Sequence, residues 1–280
     1  MLTDCHTHTH NSFDAENDTV SERCERAIEL GIKAMAVTDH CEINRFYEHE
    51  YYNVDAPTEE DVFGYKDSFE SSAAEVTAAK ELYKDKLTLI CGVELGQACS
   101  DEEACDKVVN DKRLDFVIGS MHELPGRADF YFLDYRKEDV DKLFREYFDE
   151  LLKLCVQNKF DVLGHLTYPL RYIEGDYGIK TDISVYRDNI AAVFETLIKN
   201  GKGIEINSSG LRQKYGKPFP SYEYLKLYHD MGGKILTFGS DSHSTADIGK
   251  GINEVMELAA NAGFDKGAYY IKHEPVFFKL

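Results

Sequence analysis

Chemistry-capable residues begin at the start of this chain, in Asp4-Cys5-His6-Thr7-His8-Thr9-His10-Asn11-Ser12-Phe13-Asp14. Side chains alternate faces along an extended strand, so His6 and His8 are expected to point one way and Cys5 and Thr7 the other. Two imidazoles on one face can hold one metal ion, but an isolated H-x-H is weak evidence until other ligands are found. Metal-capable side chains recur after later apolar runs: Asp39-His40, Glu94, His122, His165, Asn207 and Asp241-Ser242-His243, the last repeating the spacing of His6 and His8. Taken singly, each has a plainer reading as a satisfied core histidine or a helix-capping carboxylate. Six of the ten histidines nevertheless fall at the ends of candidate strands. Polar groups buried there must be paired or coordinated.

Imidazole and carboxylate ligands suit zinc, manganese or ferrous iron, and the absence of a C-x-x-C pair argues against a closed structural zinc. So many ligands exceed the needs of one ion. They imply a cluster in which a carboxylate bridges metals, leaving positions open for water and substrate. His49, His229 and His273 fall in loop or helix positions and read as surface residues, while His10 stays open.

Elements of a particular kind must position these residues. Short β-branched-rich runs alternate with amphipathic stretches of helical length from one end to the other, the pattern of βα units around a parallel sheet. The strand candidates are 2–6, 33–38, 87–93, 114–119, 159–164, 203–207 and 234–239. The clearest helices are 19–31, 58–84 with Gly64 as a break, 137–157, 184–200, 221–231 and 246–262. Thr58 reads as an N-cap, and Gly31 and Gly263 as helix ends. In a (β/α) barrel the C-terminal strand ends meet at one face, so residues far apart in sequence converge there. Closure of the last strand against the first would make the His6/His8 and Asp241/His243 pairs neighbours. Residues 41–57 form an acidic and aromatic insert with Phe46, Tyr47, Tyr51 and Tyr52, and 124–136 form a second loop. The tail, 267–280, is expected to pack against the outside of the barrel.

Composition narrows the function classes. A chain of 280 residues with 43% hydrophobic content suits one barrel domain spanning 1–280. No apolar run is long enough for a transmembrane helix and no signal-peptide pattern opens the chain, which predicts a cytoplasmic protein. Seven cysteines are an odd count that argues against a disulfide framework. A formal net charge of −19 disfavours nucleic acid and anionic membranes as partners. It would also repel a phosphate, unless divalent ions reverse the local sign and salt screens the acidic surface beyond about 8 Å. An acidic rim, sought in the 41–60 insert, would favour a cationic substrate group.

The segments DCHTHTHNSFD (4–14), TDH (38–40), GVELG (92–96), GSMHELP (119–125), GHL (164–166) and GSDSH (239–243) resemble, in order, those of the PHP family, named for its polymerase and histidinol phosphatase members. GHLTYPLRY (164–172) and EINSSGLRQKYGKPFPS (205–221) look most like its histidinol-phosphate phosphatases. The resemblance implies a distorted seven-stranded (β/α) barrel, TIM-barrel-like, with three divalent metal ions (zinc, manganese or iron). His6, His8, Glu94 and Asp241 would hold the first ion, Glu94, His122 and His165 the second, and Asp14, His40 and His243 the third. Asp14 stands where some relatives have histidine.

The implied activity is hydrolysis of a small phosphate monoester, L-histidinol phosphate, by hydroxide formed on a metal, with Glu94, Asp241 and His243 closest to the chemistry. Arg171 and Arg212 are the expected phosphate contacts, since a guanidinium fork matches two phosphate oxygens. Lys214, Arg127 and Tyr168 are weaker pocket candidates. Another small phosphate, such as a nucleotide or sugar phosphate, is the alternative substrate. A catalytically silent binding module would be expected to lack ligands that this chain retains. An amidohydrolase-type barrel would carry a bridging lysine where Glu94 stands.

Overall fold

The computed structural model describes residues 1–44 and 65–280. The Thr58 cap, the Gly64 break, His49 and most of the 41–57 insert therefore lie outside the described residues. Seven strands run parallel in the order β1 (Thr3–Thr7), β2 (Ala34–Val37), β4 (Thr88–Gly96), β5 (Phe116–Ser120), β6 (Val162–Leu163), β7 (Gly203–Asn207) and β8 (Leu236–Gly239). A short β3 (His40–Glu42) carries the line of β2 onward and pairs with the second half of β4, bringing His40 into register with Glu94. Asp241 N–H donates to His6 O at 2.8 Å and His8 N–H to Ser242 O at 2.9 Å, so the last strand closes against the first and the barrel is nearly complete.

Helices α1 (Val20–Glu29), α2 (Ser71–Tyr83), α3 (Glu102–Val109), α4 (Val140–Gln157), α5 (Arg187–Lys199), the single turn α6 (Ser209–Arg212), α7 (Tyr222–Asp230) and α8 (Ile252–Ala262) fill the connections. End chemistry sets several of them. Thr19 and Glu22 form a capping box at α1, and Gly263, at φ 113°, ends α8 in a conformation that suits glycine. Helix α3 was not expected, being short; Asp101 starts it by accepting from Ala104 N–H. Among the described residues, no helix is long and apolar enough to cross a membrane.

Two departures from simple periodicity matter. Asp4 pairs with Met35 and Thr7 with Val37, so Cys5 and His6 together stand opposite Ala36 in a bulge. A bulge re-aims side chains. Cys5 therefore packs inside the barrel with Ala34, Ala36, Ile90, Phe116 and Ile118, rather than facing away from His6 as strict alternation requires. The tail differs as well. It forms an antiparallel hairpin, β9 (Lys266–Ile271) and β10 (Glu274–Lys279), through a turn with positive φ at Lys272 and His273. Tyr270 joins the interior cluster, stacked on Phe116 at 5.1 Å, so the hairpin closes off the barrel interior at the end away from the metal-facing histidines, while Phe278 packs with Phe238 in the layer outside the strands, as expected of the tail.

Candidate metal centre

The residues at the C-terminal strand ends converge on Glu94, which lies inside β4 rather than just beyond it because that strand runs on to Gly96. Glu94 Oε2 lies 3.1 Å from His6 Nε2, 3.5 Å from His8 Nε2 and 3.1 Å from His40 Nδ1. Its other oxygen, Oε1, lies 3.1 Å from His122 Nε2 and 2.7 Å from His165 Nε2. One buried carboxylate thus faces two separate groups of imidazoles. Asp241 Oδ1 completes the first, 3.3 Å from His8 Nε2 and 3.8 Å from His6 Nε2. Asp14 Oδ2 sits 3.1 Å from His243 Nε2 and 3.5 Å from His40 Nε2, making a third group at the more exposed edge. The ligand atoms of His8, His40 and His243 also lie within 4.8 Å of one another.

The hydrogen-bond partners behind the rings fix what the inner nitrogens can be. His6 Nδ1 lies 2.7 Å from Glu205 Oε1 and His122 Nδ1 lies 2.9 Å from Glu42 Oε1; a carboxylate only accepts, so both Nδ1 atoms carry protons. Ser12 Oγ donates to Asp39 Oδ1 at 2.9 Å, so it accepts from His8 Nδ1 at 3.1 Å. His243 Nδ1 likewise donates to the Asp241 carbonyl. In the neutral rings, Nε2 of His6, His8, His122 and His243 is therefore a lone pair aimed inward. His6 Nε2 and His8 Nε2 are 3.1 Å apart, and His122 Nε2 and His165 Nε2 are 3.3 Å apart, each pair beside carboxylate oxygen. At His6 and His8 two lone pairs meet beside carboxylate oxygens, an arrangement that a cation between them satisfies. His40 Nδ1, buried and without a hydrogen-bond partner, adds to the same demand. The donor set fits divalent metal ions, held by imidazoles whose far nitrogens are fixed by carboxylates at His6 and His122, by Ser12 at His8 and by a backbone carbonyl at His243.

The protein's own charges point the same way. Burial would lower the pKa of His6, but Glu205, Glu94 and Asp241 outweigh it and raise the ring well above its ordinary range. The same contest raises His40, through Asp14 and Glu94, and His122, through Glu42 and Glu94. His8 goes the other way, depressed by burial and by its neighbours His243 and His40. Burial would raise Glu94 and Asp241, yet the surrounding histidines hold both carboxyls well below the usual range, with Arg171 also acting on Asp241. Without metal, acids in the cluster keep protons on several rings; metal binding would displace those protons.

The cluster floors a cavity of about 480 Å³ walled by Phe13, Tyr131, Phe132, Tyr168 and Tyr172. Arg171 lines it, with Nη2 donating to Asp241 Oδ2 and Ser209 Oγ at 2.8 Å each and the guanidinium over the Tyr168 ring at 4.8 Å. Its Nε is buried without a hydrogen-bond partner among the described residues. Arg212 is placed differently from a cavity-lining phosphate contact. Its guanidinium donates to the carbonyls of Ser240 (2.6 Å) and Asp241 (2.7 Å), holding the loop that presents Asp241. Lys214 and Arg127 pair with acids elsewhere, at Asp176 and Glu138. His10 pairs with Glu75 outside the cluster, and Asn207 caps Ser209 rather than facing the metal groups.

Glu42 and Glu205 were not anticipated from the sequence, although a charged residue between Ile204 and Ile206 in a buried strand was a usable signal for Glu205. Glu42 stands at the start of an acidic insert, where nothing distinguishes it from its neighbours.

Fold and site together define a metal-dependent hydrolase-type α/β barrel with a histidine- and carboxylate-lined centre suited to divalent ions. Residues 4–209 match the PHP domain, and the chain belongs to that family. It is 29% identical over 266 residues to the "Probable histidinol-phosphatase" of Thermotoga maritima, covering 94% of each chain. It is 27% identical over 276 residues to the histidinol-phosphatase of Lactococcus lactis, covering 95% of this chain and 93% of that one. The crystal structure of histidinol phosphate phosphatase from Lactococcus lactis, complexed with zinc, L-histidinol and phosphate, superposes with a TM-score of 0.78 at 22% identity, covering 98% of both chains. At that identity the structural likeness concerns the fold.

Proposed function

We propose that this protein is a histidinol-phosphate phosphatase of histidine biosynthesis, a cytoplasmic single-barrel enzyme that hydrolyses L-histidinol phosphate to L-histidinol and inorganic phosphate. The observation that carries this reading is the two-sided use of Glu94, one carboxylate shared by two sets of imidazoles at the floor of a cavity that Arg171 also lines. Family membership and the histidinol-phosphatases among its relatives support the substrate.

The ligands divide into three sets: His6, His8, Glu94 and Asp241; Glu94, His122 and His165; Asp14, His40 and His243. When bound, divalent ions at these sets would supply an activated water and positive charge against a phosphoryl group. The chain's own residues do the positioning. Glu205 and Glu42 fix the tautomers of His6 and His122, so both rings present lone pairs inward. Arg171, anchored by Asp241 and Ser209, brings its guanidinium to the cavity wall, where a charge-assisted contact would stabilise charge spread over a phosphoryl group. Arg212 supports the anion site from behind, through the Ser240–Asp241 backbone. The aromatic wall excludes water and takes the flat part of the substrate.

A substrate panel on zinc-loaded protein tests the proposal. L-Histidinol phosphate should show a kcat/KM well above those of p-nitrophenyl phosphate, nucleoside monophosphates and sugar phosphates. Equal or better turnover of a nucleotide or sugar phosphate would replace histidinol phosphate with that substrate.

A further inference from the structure

Five carboxylates line the cavity among the described residues, and four of them engage the cluster: Asp14, Glu42, Glu94 and Asp241. Asp129 is the exception, forming no ion pair or hydrogen bond with any histidine of the cluster. Its Oδ1 accepts from Tyr131 N–H at 2.6 Å, capping the short turn Phe130–Phe132, and among the described residues that is the carboxylate's one hydrogen bond. Oδ2 is left free at the cavity wall. Burial pushes this carboxyl up to about 6, against the pull of His122, the mark of a charge short of a counter-ion. Around it the wall is aromatic. The Tyr131 ring meets Tyr172 edge-on at 5.9 Å, and the Tyr172 hydroxyl is held by that of Tyr168 at 2.7 Å. The cavity therefore has a floor suited to an anion, an apolar flank, and one anionic group set apart from the floor.

We infer that Asp129 is a specificity-determining residue that receives the protonated amine of an aminoalkyl phosphate whose phosphate lies over the Glu94 cluster. The inference rests on the phosphomonoesterase reading above and deepens it. A phosphate ester without an amine gains nothing from Asp129 and leaves a half-buried carboxylate uncompensated, so the same residue favours the cationic substrate over neutral ones. The acidic recognition element sought in the 41–60 insert is thus assigned to the loop before α4.

Asp129→Asn tests this directly, because asparagine keeps an oxygen for Tyr131 N–H and removes the charge. With the zinc-loaded enzyme, kcat/KM is measured for L-histidinol phosphate and for the analogue in which hydrogen replaces the amine. Wild-type protein should prefer the amine-bearing ester by roughly 10- to 100-fold, the range of a charge-assisted contact. The variant should lose that preference through the amine-bearing ester alone, and L-histidinol should weaken as an inhibitor while inorganic phosphate does not. Asp129→Ser, which also retains a capping oxygen, should behave alike. Retained preference, or an equal fall for both esters and for phosphate inhibition, would overturn the inference. Should wild-type protein instead hydrolyse a different aminoalkyl phosphate, with Asp129→Asn erasing its amine preference, the histidinol assignment fails and the role of Asp129 stands.

Discussion

Replacing Glu205 by glutamine isolates the principle on which the centre is built. Glu205 is 1% exposed and uses both carboxylate oxygens, Oε1 toward His6 Nδ1 at 2.7 Å and Oε2 from His165 N–H at 3.0 Å. It thereby ties the ring of His6 to the backbone of His165, which belong to different proposed metal sets. With Asn207 Nδ2 also donating to Oε2 at 3.3 Å, three N–H groups converge on the carboxylate, and glutamine offers one accepting oxygen in place of two. If the amide nitrogen faces His165, a buried N–H loses its acceptor, costing about 1–3 kcal/mol. If it faces His6, the ring must take the opposite tautomer and aim a proton at the metal. Loss of such a partner behind a ligand lowers metal affinity roughly 10- to 100-fold, or about 1.4–2.8 kcal/mol. Competition between the metal-free protein and a chromophoric zinc chelator measures this directly, with circular dichroism and a thermal melt showing that the variant is folded. Wild-type zinc affinity in a folded Glu205→Gln variant would refute the claim that carboxylates behind the rings set the ligand tautomers.

Three further outcomes follow from the same geometry. Glu94→Gln should leave the fold intact but lower metal affinity roughly 10- to 100-fold and reduce turnover sharply, since an amide cannot serve both imidazole groups as a carboxylate does; near-normal turnover at full metal content by atomic absorption would contradict the bridging role. Arg171→Ala should lower kcat/KM by about tenfold or more, through KM if the contact is present in the ground state and through kcat if it forms chiefly in the transition state, and it should weaken inhibition by inorganic phosphate. Unchanged phosphate inhibition would remove Arg171 from the anion subsite.

The third concerns acid stability of the metal-free protein. Burial would raise Glu42, but His122 overrides it and holds the carboxyl at about 2, below its ordinary 4.5. That contribution is complete above 4.5 and disappears as pH falls through about 2. His122 is raised well above 6.5, so its share is complete below 6.5 and disappears as pH climbs through the raised value. The destabilisation caused by Glu42→Gln, read from urea midpoints, should therefore be greatest between pH 4.5 and 6.5. A penalty that stays flat across the whole range would show that the pair is not ionised.

Much of the centre was legible because barrel topology turns strand ends into one surface. His6, His8, His40, Glu94, His122, His165, Asp241 and His243 could each be placed from the apolar run before it, and closure of β8 on β1 brought the outer pairs together. Other features depend on geometry without a sequence mark. The bulge that turns both Cys5 and His6 inward is invisible to a period-two reading. The terminal hairpin was missed because its turn places Lys272 and His273 at positive φ, where asparagine or glycine would have signalled a turn. Arg212 was expected as a phosphate contact from its segment, and only the fold shows its donors taken by the carbonyls of Ser240 and Asp241. Asp129 carries no pattern at all, standing in a polar loop, and acquires meaning from the aromatic wall around it.

On the reading proposed above, this cluster is a multinuclear metal centre for phosphate-ester hydrolysis. Its most direct test is to titrate zinc, manganese or ferrous iron into metal-free protein while following both bound metal and phosphate release from L-histidinol phosphate. The account predicts no release without metal, and activity that appears only as more than one ion binds per chain, with occupancy rising toward three. Full activity after exhaustive chelation, or saturation of activity at one bound ion, would contradict it.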